Sequence, residues 1–253
     1  MTANPSTLKG KVAFITGGNR GIGLETARGL GKLGAHVVIG SRDAERGKVA
    51  AAALQAEGIQ AESMKFDVLL VEDRQAAYAF FDQKYGKLDI LINNAGVQKE
   101  VEHLVPMNET SSVTPDTLRE TFEANFFTLV ELTQLLLPLI RKSPAGRIVN
   151  LSSVLGSLAL HSNPEAPIFN MKVFAYDTSK AAVNMFTIHL AHELRDTPIK
   201  VNSAHPGWVK TEIGGQYAEL DAAEGSKTSV MLASLPVDGP TGQFFFMNNQ
   251  LPW

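Results

Sequence analysis

Tyr176 and Lys180 stand four residues apart in Tyr176-Asp-Thr-Ser-Lys180, at the start of a segment patterned as a helix, so both side chains fall on one face. A phenol titrates near pH 10 in water, too high for proton traffic at neutral pH. A cation one turn away favours the phenolate and should bring that value down, which makes the pair a usable proton relay. The spacing alone is common on surface helices. Its meaning comes from a second feature near the other end of the chain. Thr16-Gly-Gly-Asn-Arg-Gly-Ile-Gly23 closes an apolar run and opens a helix. Gly17 permits a tight turn, Gly21 lets the backbone approach a pyrophosphate, and Gly23 lets helix and strand pack closely. The helix N-terminus then offers unpaired N–H groups and partial positive charge to phosphates. The spacing is not G-x-G-x-x-G, and the Lys-Ser/Thr pair of an NTPase loop is missing. A proton relay and a dinucleotide cradle in one chain point to hydride transfer between a nicotinamide cofactor and a carbonyl or alcohol carbon.

The end of the second apolar run indicates which dinucleotide. An acidic side chain there serves the ribose 2′-hydroxyl of NAD, whereas arginine accommodates the 2′-phosphate of NADP. Here the run ends Ile39-Gly-Ser-Arg42, with Arg20 in the glycine turn and Arg46 one turn into the next helix. Asp43 follows Arg42 and suits a helix N-cap. NADP(H) is expected over NAD(H).

These residues need a frame. Short runs rich in Val, Ile and Phe at Val12–Thr16, His36–Gly40, Glu62–Phe66, Ile90–Asn93, Arg147–Leu151, Lys200–Ser203 and Gln243–Met247 predict strands. Most are too apolar to alternate, as strands covered on both faces are. Between them, Ile22–Leu33, Ala44–Glu57, Glu72–Tyr85, Thr117–Arg141, Phe174–Arg195 and Ala222–Ser234 have helical length. This alternation predicts a single α/β domain over residues 1–253, a doubly wound, Rossmann-like parallel sheet of about seven strands with helices on both faces. Residues 1–9 are expected to form a flexible tail. The stretches Val97–Pro115, Gly156–Val173 and Trp208–Ala218 fit the rhythm poorly. Each leaves a strand at the carboxyl edge of the sheet, where ligands bind in such folds.

Composition excludes several alternatives. The chain carries 44% hydrophobic and 19% charged residues and a net charge of −3, so it has no basic field to draw nucleic acid or an anionic membrane. It contains no Cys, which excludes disulfides and thiolate metal sites. His189 and His192 beside Glu193 do not form a His-Glu-x-x-His motif, and no third ligand accompanies them; no metal is expected. The N-terminus has no secretory pattern, and the longest central apolar run, Leu135–Ile140, is far short of a membrane span. A cytoplasmic location is expected.

Further motifs occur in a telling order: Asp67, Asn93-Asn-Ala-Gly96, Asn125, Asn150-Leu-Ser-Ser153 and Pro206-Gly207. With the glycine turn and Tyr176-x-x-x-Lys180, they make the chain resemble the short-chain dehydrogenase/reductase family over nearly its whole length. The resemblance implies a tetrad of Asn125, Ser153, Tyr176 and Lys180. Tyr176 would protonate the carbonyl oxygen, Ser153 would hold that oxygen, and Lys180 would lower the Tyr pKa and bind the nicotinamide ribose. Asn125 would place a water for proton resupply. Ser152 is the alternative to Ser153. The cofactor would lie against Gly17, Asn19, Arg20, Gly21, Ile22, Gly23, Arg42, Asp67, Val68, Asn94, Ala95 and Gly96. It would also meet Tyr176, Lys180, Pro206, Gly207, Val209 and Thr211. Asn93 would brace the central sheet, and Trp208 would line the substrate side with Met171 and Phe174.

Ser153 and Tyr176 are 23 positions apart, longer than the family's common interval, so 157–173 reads as an inserted segment with two prolines. Such an insertion resembles the carbonyl-reductase branch, which includes the plant salutaridine and menthone reductases. The expected activity is NADPH-dependent reduction of a ketone or aldehyde, reversible as an alcohol dehydrogenase. A retinol- or steroid-type dehydrogenase and a dinucleotide-sensing module without chemistry are the alternatives. In the resembling branch the insertion covers a helix surface used for tetramers, so a monomer, or at most a weak dimer, is expected, with a small carbonyl or alcohol as partner.

Overall fold

The computed structural model describes residues 8–100 and 109–253. Most of the expected tail and the middle of the Val97–Pro115 loop therefore lie outside the described residues. Eight strands form one sheet in the order β3-β2-β1-β4-β5-β6-β7-β8. They are β1 (Val12–Ile15), β2 (His36–Ser41), β3 (Ala61–Lys65), β4 (Ile90–Asn93), β5 (Arg147–Leu151), β6 (Lys200–Ala204), β7 (Phe244–Phe246) and β8 (Asn249–Gln250). All neighbours are parallel except β7 and β8. The antiparallel β8, two exposed polar residues, is an addition to the seven expected strands.

The strand order reverses direction between β1 and β4. From β1 the chain winds one way through β2 and β3, and from β4 it winds the other way. The crevice outside the carboxyl ends of those two strands is where such sheets bind ligands.

Helices α1 (Gly21–Lys32), α2 (Ala44–Ala56) and α8 (Ala222–Ala233) cover one face. There Ala27, Leu30, Leu54 and Leu232 are buried with the inward residues of β1 and β2. On the other face lie α3 (Val71–Tyr85), α5 (Thr128–Arg141) and α7 (Phe174–Glu193), which bury Phe81, Leu132, Leu136 and Leu190 against Phe14 and Leu91. Two-sided cover explains the unbroken burial of β1, β4 and β5.

Asp43 caps α2 by accepting from the amides of Glu45 and Arg46. The expected helix 117–141 is a composite of α4 (Pro115–Phe122), a π-helical turn at Glu123–Phe127 and α5, which contains Pro138. The run Pro115–Arg141 is 27 residues and contains an 18-residue window with a mean hydropathy of 1.2, long and apolar enough to cross a membrane by length and composition. That corrects the expectation that no segment reaches such a length. Leu132, Leu136, Leu139 and Ile140 of this run are buried against the sheet, so it is a core helix here. The remaining helix, α6 (Leu158–His161), lies in the inserted segment.

A buried polar ladder fixes the second-face helices. Asn93 Nδ2 donates to Thr133 Oγ1 on α5 at 2.9 Å and to Asn150 Oδ1 on β5 at 2.8 Å. Asn150 Nδ2 and Ser203 Oγ both donate to Thr187 Oγ1 on α7, each at 2.9 Å. Buried polar groups left without partners cost about 1–3 kcal/mol each, so the ladder sets the height of α5 and α7 over the strands. Asn93 braces the sheet as expected.

Candidate active site

Thr16 directly follows β1, and its Oγ accepts from the amides of Asn94 and Ala95 at 3.0 and 2.9 Å. Asn94 Nδ2 donates back to the carbonyl of Thr16 at 2.7 Å. The turns after β1 and β4 are thereby stitched together across the crevice. Gly17 and Gly21 adopt φ of +63° and +54°, backbone that favours glycine. A Cβ on Gly23 would stand 2.5 Å from the Gly17 carbonyl oxygen, so the turn closes only on hydrogen at that position. Helix α1 begins at Gly21 with no side-chain cap and no acidic residue in its first turn. Its N-terminal amides thus remain available to an anion.

A cleft of about 410 Å³ opens over this turn. Of the residues expected at the cofactor, Gly17, Asn19, Arg20, Gly21, Ile22, Gly23, Arg42, Asp67, Val68, Asn94, Ala95, Gly96 and Thr211 all line it. Asp67 also caps its own turn, with Oδ1 accepting from the Leu69 amide at 3.0 Å. Arg42 stands at the end of β2 where an NAD site carries an acid. Arg46 instead pairs with Asp43 at 3.4 Å on the surface. Arg20 forms an ion pair with Glu212. Lys210, Glu212 and Ile213, none of them expected, complete the wall with Phe66, Leu69, Val97, Ala124 and Leu151. Lys210, Glu212 and Ile213 lie in the 208–218 stretch that its poor fit to the strand–helix rhythm marks as a binding loop, but nothing in the pattern singles out these residues within it.

A smaller adjoining cleft of about 90 Å³ is lined by Ser152, Ser153, Tyr176, Lys180, Pro206, Gly207, Trp208 and Val209. It shares Ile22, Asn94, Gly96, Leu151, Thr211 and Ile213 with the first, so the two are continuous. Trp208 is 40% exposed and anchored by Nε1 donating to the Gly214 carbonyl at 2.8 Å. Met171 packs instead beneath Tyr176 with Leu155 and Val173, and neither Met171 nor Phe174 lines this cleft. The inserted segment packs at the N-terminal end of α7. A groove between α5 and α7, lined by Gln134, Leu137, Phe186 and His189, is not lined by it.

Tyr176 is 7% exposed and hydrogen-bonded to Ser153. Ser152 Oγ points elsewhere, to the Lys180 carbonyl at 3.4 Å. Lys180 Nζ donates to the Leu151 carbonyl at 2.8 Å and lies 5.7 Å from the centre of the Tyr176 ring. Asn125 stands on the π-helical turn, a distortion frequent at functional sites. Its Oδ1 accepts from the Val97 amide at 2.7 Å, and its Nδ2 donates to the Val97 carbonyl and Ser179 Oγ. It lines neither cleft and ties the loop after β4 to α7.

The electrostatics differ from the sequence expectation. Burial pushes the Tyr176 phenol up to about 12, the Ser153 hydrogen bond pulling it down and the charge of Asp177 adding to the rise. Burial also brings the Lys180 ammonium down to about 8. The net shift is thus opposite to the expected lowering of the Tyr pKa: removing the phenol from water disfavours its anion more than the Ser153 hydroxyl favours it. At pH 7 the phenol keeps its proton and Lys180 largely keeps its charge.

Residues 11–221 match the family model described as short chain dehydrogenase. The chain belongs to this family. Human carbonyl reductase [NADPH] 1 is 35% identical over 92% of this chain and 95% of its own length. The mouse protein of the same name is 34% identical over 96% and 98%. Among solved structures, salutaridine reductase from Papaver somniferum superimposes with a TM-score of 0.78 at 29% identity, covering 94% of this chain and all of that one. The carbonyl-reductase-like branch indicated by the inserted segment is the one these relatives represent, and the family makes the chain an oxidoreductase.

Within this family site, two backbones also pack closely at Gly156. Gly156, in the short 3₁₀ turn Val154–Gly156 capped by Ser153, packs on α7 where a Cβ would stand 2.7 Å from the Lys180 carbonyl carbon and 2.9 Å from the Ala181 nitrogen. Gly156→Ala should push the turn from α7 and separate Ser153 from Tyr176. We expect turnover at least about ten-fold lower and stability reduced by about 1–3 kcal/mol, read by steady-state kinetics and urea unfolding. Unchanged turnover would show that the contact does not set the site.

Proposed function

We propose that the protein reduces a ketone or aldehyde to an alcohol with NADPH. One observation carries this reading: the Ser153–Tyr176–Lys180 floor adjoins a glycine-turn cleft whose β2 end presents Arg42. The names of the relatives support it. The residues fit the cofactor: uncapped amides of α1 face the cleft, glycines leave room for close approach, and the guanidinium of Arg42 suits a 2′-phosphate. Gly17–Gly23, Arg42, Asp67, Asn94–Gly96 and Pro206–Thr211 would hold it. Bound NADPH supplies the hydride.

The protein's own groups handle the proton. Ser153 Oγ donates to the carbonyl oxygen that gains charge, a fixed dipole aimed where the charge develops. Tyr176, neutral because it is buried, gives its proton to that oxygen. The phenolate left behind has the Lys180 ammonium 5.7 Å from its ring centre, and opposite charges at such range in a buried site attract. Lys180 thus acts by stabilising the phenolate as it forms rather than by acidifying the resting phenol. Asn125 is a positioning residue, holding the Val97 loop and Ser179 around Lys180.

Two experiments test the reading. A panel of aldehydes, ketones and quinones followed by NADPH absorbance should reveal turnover that Tyr176→Phe lowers at least about a thousand-fold while the NADPH Kd moves less than about three-fold; a Phe variant of equal activity removes Tyr176 as the donor. That result also separates catalysis from dinucleotide sensing. Arg42→Asp should lower the NADPH/NADH ratio of kcat/KM by at least about ten-fold, since a charge-assisted contact contributes about 1.5–3 kcal/mol. An unchanged ratio would contradict the cofactor assignment.

A further inference from the structure

Three segments meet on the first turn of α7, and their meeting point involves titratable groups that the mechanism above does not use. From the inserted segment, His161 Nε2 lies 2.8 Å from the Leu155 carbonyl and 3.3 Å from Asp177 Oδ2. Its Nδ1 is 3.0 Å from Lys172 Nζ, which also donates to the His161 carbonyl at 3.3 Å. With Lys172 donating to Nδ1, the ring hydrogen is assigned to Nε2 and points toward Leu155 and Asp177. Asp177 Oδ2 also accepts from the Val173 amide at 3.0 Å. From the loop after β4, Glu100 Oε2 accepts from the Tyr176 amide at 2.9 Å. Asp177 is 8% exposed, and its Oδ1 meets no donor among the described residues.

We propose that Asp177 is a positioning residue that clasps the inserted segment to the first turn of the catalytic helix through His161 and Val173, and so sets how Tyr176 on that turn is presented to a carbonyl substrate. The substrate half of this statement rests on the carbonyl-reductase reading; the clasp itself does not.

The groups facing Asp177 decide how the clasp responds to pH. Burial raises its carboxyl first, the Val173 amide opposes, the charge of Glu100 adds to the rise and Lys172 opposes, leaving it at about 7. Burial holds His161 below its ordinary value. An unclasped Asp ionises near pH 4. The folded value is the higher one, so Asp177 favours the closed clasp at low pH, and this preference is lost as pH rises to about 7. His161, depressed, has the opposite sense below about 6.5. Asparagine at 177 keeps an acceptor for Val173 without a charge to bury, and comparing it with the wild type isolates the contribution of the carboxylate.

Hydrogen–deuterium exchange of peptide 158–173, corrected for intrinsic rates, tests the clasp without any substrate. Asp177→Asn should be better protected than the wild type, with a gap at least about ten-fold larger at pH 7.5 than at pH 5.5. His161→Ala should speed exchange of this peptide at least about ten-fold at both values and leave the β1 and β5 peptides unchanged, which also covers an Asp177→Asn chain that fails to fold. Equal exchange of wild type and Asp177→Asn at both pH values overturns the clasp, as does an unmoved His161→Ala peptide. With the panel carbonyl turned over fastest, His161→Ala should raise KM at least about three-fold and leave the NADPH Kd unchanged; an unmoved KM overturns the substrate-seating half. Exchange behaving as expected in a wild type that reduces no carbonyl upholds the clasp and removes the functional reading alone.

Discussion

At Gly156 the chain has no room for a side chain, because a Cβ would meet the backbone of α7 at Lys180 and Ala181 within 3 Å, and the catalytic geometry depends on that contact. Ser153 reaches Tyr176 only because the turn it caps lies flat on the helix. Several bonds register the approach: Asn184 Nδ2 donates to the Gly156 carbonyl, Ser152 Oγ to the Lys180 carbonyl and Lys180 Nζ to the Leu151 carbonyl. Beneath them, the Asn93–Asn150–Thr187 ladder sets how high α7 rides over β5 and β6. A small residue at one turn and a row of amides under the sheet thus hold Ser153, Tyr176 and Lys180 in place.

The same close packing sets the electrostatics. Water excluded from α7 raises the phenol of Tyr176 and lowers the ammonium of Lys180. Both shifts favour the neutral forms, yet at pH 7 only the Tyr is held neutral. An acid that keeps its proton until charge develops on the substrate, beside a cation that stabilises what remains, suits reduction better than a pre-formed phenolate would. The second acid on this helix, Asp177, adds to the rise of Tyr176, so the clasp and the proton donor share one electrostatic environment.

Much of this was legible in the sequence. Strands covered on both faces read as continuous apolar runs, and all seven expected strands appear with ends within about one residue. The glycine turn and Asp43 as a cap followed from residue types with a fixed geometric use, and the rest of the expected cleft lining from the family resemblance. What escaped has physical reasons too. β8 is two exposed polar residues and carries no hydrophobic signal. The π-helical turn around Asn125 adds a residue to the helical repeat that a spacing of three or four cannot reveal. Pro138 sits inside α5 because burial of Leu132, Leu136 and Leu139 outweighs its lost hydrogen bond. The meeting of Glu100, His161, Lys172 and Asp177 joins residues far apart in sequence, and the phenol's raised pKa follows from burial, which a Tyr–Lys spacing does not show.

The account turns on a buried, protonated Tyr176 acting beside a charged Lys180. Its most direct test is the single-turnover rate of carbonyl reduction by NADPH-loaded protein as a function of pH. The rate should hold level through neutrality, fall as Lys180 loses its proton near pH 8, and show no activation anywhere between pH 7 and 10. A rate that climbs through that range would mean that a phenolate is the working form in reduction, and would contradict the account.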